Sequence, residues 1–154
     1  MSVCFRPLTE VAEEVCERLR KITAFKGVTF AAVTDYDQLL QLATTYAGLP
    51  RAIVVIGAGE YDHHGLTRSY TLGVVVITEF RADLKGEAAE IWRCHREIER
   101  LFMPRLTRDL SPDMPGGKYV QYTLRGWTPF EVGKKCSSVV AELNVVEQAA
   151  KEEK

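Results

Sequence analysis

Most of the features that reveal a protein's chemistry are scarce or missing in this chain. No apolar run approaches the roughly 20 residues that a membrane-spanning helix needs, so no transmembrane segment is expected. The first residues, MSVCFRPLTE, show no basic stretch leading into an apolar one. A secretory signal is therefore not expected, and the cytoplasm is the expected compartment. Charge of one sign is not in excess: 20 Lys and Arg stand against 21 Asp and Glu, a formal net charge of -1. A dedicated nucleic-acid binder shows a basic surplus, and a membrane-surface protein shows a polybasic cluster; this balance points to neither. Histidine is limited to three residues, and the four cysteines, Cys4, Cys16, Cys94 and Cys136, stand apart. No two share a CxxC spacing, which removes the close ligand pairs of a typical zinc site. Reduced thiols, buried or partly buried, are expected instead. Internal repeats and linker-like stretches are missing too, so the 154 residues read as one domain over 1–147 with a short charged tail over 148–154.

What is present is ordinary core material, with 46% hydrophobic and 27% charged residues. The most informative stretch is RAIVVIGAGEYDHHGLTRSYTLGVVVITEF, residues 51–80. Two runs rich in β-branched residues, 52–56 and 70–80, read as strands. Between them lies a polar loop, 57–69, carrying Gly57, Gly59, Gly65 and the His63-His64 pair. In the second run Tyr70, Leu72, Val74, Val76 and Phe80 face one way, while Val75 and Ile77 face the other. Both faces of its middle should therefore be covered. Gly73 marks a bulge or a close backbone approach. A long hairpin with an elaborate tip points to contact with something outside the chain rather than to catalysis.

Around this hairpin the sequence alternates helical and strand-like patterns. A first helix is expected over 9–22, capped by Thr9, with Val11, Val15, Leu19 and Ile22 on one side. A short strand, 28–33, and a second helix, 35–47, follow; Gly48 and Pro50 close that helix. A third helix, 86–103, carries the apolar stripe Ala88, Ile91, Cys94, His95, Ile98, Leu101 and Phe102. Then come a loop over 105–118, a strand over 119–125, a turn or crossing segment over 126–129 and a last strand over 137–146. The expected fold class is α+β: a mixed or antiparallel β-sheet with helices packed on one face and a long β-hairpin.

Candidate chemistry resolves into simpler readings. His63 and His64 with Glu60 and Asp62 suggest a metal cluster, but neighbouring histidines on an extended chain point apart, and a polar tip is the simpler reading. GAGEYDHHG has a GxG at Gly57 and Gly59, but a strand follows where phosphate binding needs a helix N-terminus. Cys94 and His95 diverge by about 100° on a helix and cannot pair, so both read as core. Asp35 and Asp37 read as helix-capping groups. Nothing assembles a nucleophile, a base and an oxyanion donor. No catalytic, cofactor-binding or metal-ligating residue is expected, and the chain does not read as an enzyme. Arg93, Arg96 and Arg100, with Arg105 and Arg108 beyond, could face phosphates or an acidic partner. A solvated face balanced by glutamates is the simpler reading, and in a ring the same groups could form ion pairs between subunits.

Taken in order, PRAIVVIGAGEY, RSYTLGVVVITEF, EAAEIWRCHREIERLF and SSVVAELNVVE resemble the tail terminator, or tail completion, proteins of long-tailed bacteriophages. The resemblance covers residues 51–147 and rests on the order, length and texture of elements, with no invariant motif. It implies an α+β subunit of a homomeric ring, most often a hexamer. Such a ring sits on the head-proximal end of the tail tube, stops tube polymerisation and presents a surface to a neck or head-completion protein. It is built in the host cytoplasm and carried in the virion, and DNA passes through its lumen without specific binding. No cofactor, membrane or catalytic residue belongs to such a role. Contacts are then expected at the loop tips: Tyr61, His63, His64 and Arg68 in the first, Arg105, Arg108 and Asp113 in the second. Aromatics such as Trp127 and Phe130, and β-augmentation by the tail, would add to them. Another neck connector such as a head-closure protein is the alternative, followed by a small α+β enzyme with a site near Glu60–His64.

Overall fold

The fold comes from a computed structural model that describes residues 3–31, 48–79, 89–102, 120–130 and 136–151. The segment 51–80 forms the expected hairpin, but both strands run further than their apolar cores. Strand β3 spans Arg51–Tyr61 and strand β4 spans Thr67–Glu79, so the expected loop 57–69 shrinks to a five-residue tip. The cause is a β-bulge. Pairing steps from Ile56↔Leu72 to Gly59↔Tyr70, which inserts one extra residue into β3. A Cβ on Gly59 would stand 2.6 Å from Tyr70 Cβ, and one on Gly57 would stand 2.9 Å from the Thr71 carbonyl oxygen. Only glycine lets the bulged strand stay this close. The GxG motif is thus a device of the sheet. Gly73, by contrast, lies in unbroken register opposite Val55 and Glu142, not at the expected bulge. Its missing side chain leaves room for Val140, whose Cγ1 would lie 3.4 Å from an added Cβ.

Strand β6, Cys136–Gln148, pairs antiparallel with β4 along its whole length, from Thr67↔Gln148 to Glu79↔Cys136. Strand β5, Val120–Phe130, lies on the far side of β6, and strand β2, Gly27–Phe30, runs parallel to β3. The sheet order is therefore β2-β3-β4-β6-β5, a mixed five-stranded sheet of the expected α+β class. The turn or crossing segment expected at 126–129 is strand instead. A second bulge, between Leu124 and Gly126, re-registers the chain so that Trp127 faces Ala141 and Pro129 faces Val139. Gly and Pro are tolerated there because β5 is an edge strand. Residues Val3–Cys4 form β1 and pair antiparallel with β7, Ala150–Lys151, so the charged tail enters a small ribbon with the first residues.

Helix α1, Leu8–Leu19, and helix α2, Glu90–Phe102, pack on one face of the sheet. Val11, Val15 and Leu19 from α1 and Ile91, Ile98 and Phe102 from α2 meet Val54, Leu72, Val74 and Leu143. Each such side chain contributes about 1.5–3 kcal/mol by leaving water. Thr9 does not cap α1. The N-cap is Pro7, extended at φ -54 and ψ 137, and Thr9 lies one residue inside the helix. On the opposite sheet face Ile53, Val75 and Ile77 form a second buried cluster with Ala31, which matches the expected two-sided covering of β4. The helix expected at 35–47 and the loop expected at 105–118 lie outside the described residues, as does Phe80. Gly48 has a positive φ of 107, a conformation that favours glycine. No helix among the described residues is long and apolar enough to cross a membrane.

Candidate functional site

The hairpin tip is built by Asp62. Its carboxylate accepts from the backbone N–H of Leu66 (2.8 Å) and of Thr67 (3.2 Å), while its own N–H donates to the Thr67 carbonyl at 2.9 Å. Desolvation pushes this carboxyl up, but the backbone donors at Thr67, Leu66 and Gly65, helped by His64, outweigh it and hold the group below the usual range. Gly65 turns the chain at φ 69. His63 and His64 are exposed, with ring centroids 3.8 Å apart, and Tyr61 beside them is 66% exposed with its ring 5.8 Å from Phe5. Among the described residues no group of three His, Cys, Asp or Glu converges as a metal site.

Arg68, expected with these residues at the tip, is turned inward and buried. Its Nε donates to Glu147 Oε2 at 2.9 Å, and its Nη2 lies 2.8 Å from the same oxygen as an ion pair while donating to the Arg6 carbonyl at 2.7 Å. The Tyr70 hydroxyl donates to the same Glu147 oxygen at 2.9 Å. The guanidinium lies between the Phe5 and Tyr70 rings, 4.6 and 5.2 Å from their centroids. Arg6 extends the network: it pairs with Glu14 on α1 and approaches Glu147 Oε1 at 3.5 Å. Tyr122 reaches Glu14 at 3.4 Å. Burial and then the Glu147 charge push the Tyr70 phenol far up; burial and then Glu14 push Tyr122 up to about 12. This network ties the N-terminal segment, α1, β4, β5 and β6 together. The sequence did hold a signal for it: Arg68 and Glu147 fall on the core-facing phase of β4 and β6, two steps beyond Tyr70 and Val145. Arg105, Arg108 and Asp113 lie outside the described residues.

A second feature sits where α2 meets the outer strand β5. Trp127 is 55% exposed and Trp92 39% exposed, and both rings close over His95, at 5.3 and 6.1 Å between centroids. His95 is buried, and neither ring nitrogen has a hydrogen-bond partner among the described residues. Glu99 is 3.9 Å from its Nε2 and draws the pKa up, but burial dominates and holds the imidazole below its ordinary value, towards the neutral form. Cys94 lies in the core beside it, with burial first and Glu90 next raising its thiol to about 11. Cys16 is buried likewise, Cys136 is half-buried and Cys4 is exposed. Cys94 and His95 thus behave as core residues, as their spacing implies, and Trp127 belongs to an exposed aromatic patch on a strand edge.

Glu60 borders a shallow depression of about 250 Å³ with Ser69, Thr71, Arg125 and Asn144. No protein-family model matches the chain, and no curated protein matches it.

Proposed function

We propose that this chain is a structural subunit that closes into a homomeric ring, most often of six, and works as the terminator of a phage tail. In that role it ends tail-tube polymerisation and joins the tube to the neck, within the virion. The observation that supports this reading is the aromatic edge. β5 is the outermost strand of the sheet, and Trp92 and Trp127 stand exposed beside it over a buried histidine without a hydrogen-bond partner among the described residues. An outer strand with exposed tryptophans is a ready surface for another chain. A contact between this edge and a different patch on the next copy is heterologous, and such contacts close into rings when the rotation permits. The opposite edge strand, β2, and the hairpin tip are the surfaces left for the neighbour and for the tube.

Light scattering on the size-exclusion peak, with and without tail-tube protein, tests the reading. The expected outcome is a ring mass, alone or on the tube, that Trp127→Arg abolishes while the circular dichroism of the subunit stays unchanged. A monomer at every concentration in both conditions overturns it.

A further inference from the structure

The molecule also holds a groove of about 670 Å³ between the segment 21–24 that follows α1 and the Arg93–Leu101 side of α2. Lys21, Arg93, Arg96 and Arg100 line it, with Glu97 as the lone carboxylate among the described lining residues. Glu97 is already engaged, accepting from Arg100 Nη1 at 2.7 Å. Ile22, Ala24 and Leu101 supply an apolar floor. We propose that this groove binds closely spaced phosphates, carried either by a small polyphosphate or by the backbone of a nucleic-acid strand. The proposal stands whether or not the chain forms a ring.

Three arguments support it. First, the cations come from two separate segments and converge on a concavity, whereas a merely solvated charged face is convex and carries both signs. The other flank of α2 carries Trp92, His95 and Glu99 instead, so the helix is sorted by side. Second, Arg93, Arg96 and Arg100 follow i, i+3, i+7 spacing, with successive rises of about 4.5 and 6 Å along the helix axis. They form a ladder of planar donor forks, the group that matches phosphate oxygens best. Third, the charge density selects the ligand. Four cations against one carboxylate, around a volume typical of a small-ligand site, match a compact polyanion. A peptide would need several acidic side chains crowded into the same space. The near-neutral whole-chain charge conceals this local surplus, because among the described lining residues Glu97 alone opposes the four cations.

The test is titration of the full chain with three probes: inorganic tripolyphosphate, a labelled oligothymidylate and a glutamate-rich peptide. Wild-type protein is expected to bind a phosphate probe, with each of Arg93→Gln and Arg96→Gln weakening it by about tenfold. Arg93→Lys with Arg96→Lys should restore part of the binding, since charge returns without the fork. Arg125→Gln, on a different surface, should change nothing. Oligothymidylate binding displaced by tripolyphosphate assigns the groove to a backbone; tripolyphosphate binding alone assigns it to a small ligand. For the oligonucleotide, log K against log salt should fall with a slope of about -2 if three phosphates are engaged. Unchanged affinity in both glutamine variants, no phosphate binding at low salt, or tighter binding of the peptide would each overturn the proposal.

Discussion

At the scale of single residues, the most consequential group is Glu147. It is buried, it accepts one hydrogen bond from Arg68 Nε and one from Tyr70, and it forms an ion pair with Arg68 Nη2. Taking a carboxylate out of water is costly, and only this full set of donors offsets the cost. Removing one partner leaves the other charge buried and alone. Glu147→Ala is therefore expected to lower unfolding free energy by about 3–5 kcal/mol, read from the urea midpoint at constant slope. Replacing both partners, Arg68→Met with Glu147→Leu, should recover most of that loss, because an apolar pair leaves no stranded charge. A double variant as unstable as Glu147→Ala alone would show that the network contributes through its links to Arg6 and the N-terminal segment instead.

At the scale of elements, two bulges decide the shape of the sheet, and both carry glycine. They differ in what surrounds them. An added Cβ at Gly59 collides with Tyr70 and with the Ser69 carbonyl oxygen, whereas nothing lies within 4 Å of one at Gly126. Gly59→Ala is thus expected to destabilise the protein by about 1–3 kcal/mol through forced displacement of β4. Gly126→Ala should be neutral or stabilising by about 0.4–1 kcal/mol, since it restricts the unfolded chain at a position that a side chain can occupy. Paired thermal melts of the two variants check the contrast. The same bulges explain what was hard to read. Val74, Val76, Leu143 and Val145 alternate cleanly, so β4 and β6 were legible from their period. Gly57-Ala58-Gly59 and Gly126-Trp127-Thr128-Pro129 carry turn chemistry, and only pairing with β4 and β6 turns them into strand. Thr9 failed as a cap for a similar reason: Pro7 already sets the extended entry to α1.

At the scale of the whole molecule, the exposed surfaces are separate: the hairpin tip, the aromatic edge of β5 and the basic groove beside α2. Because His63 and His64 make no part of the core, alanine at both should leave the melting temperature within about 0.5 kcal/mol of wild type in free-energy terms. In the proposed tail role the same variant should be retained less well on tube ends, measured by co-sedimentation with tube protein; unimpaired retention would remove the tip from the docking surface. The sequence by itself determined the α+β class, the core faces of α1, α2, β4 and β6, and the thiol and charge inventory, because periodicity and composition are local properties. The strand period puts Arg68 on the core side, but tertiary structure alone decided that it meets Glu147, 79 positions away, that Trp127 stands exposed over His95, and that three arginines share one groove with Lys21. Those juxtapositions depend on register and on the packing of distant segments, which no local pattern encodes.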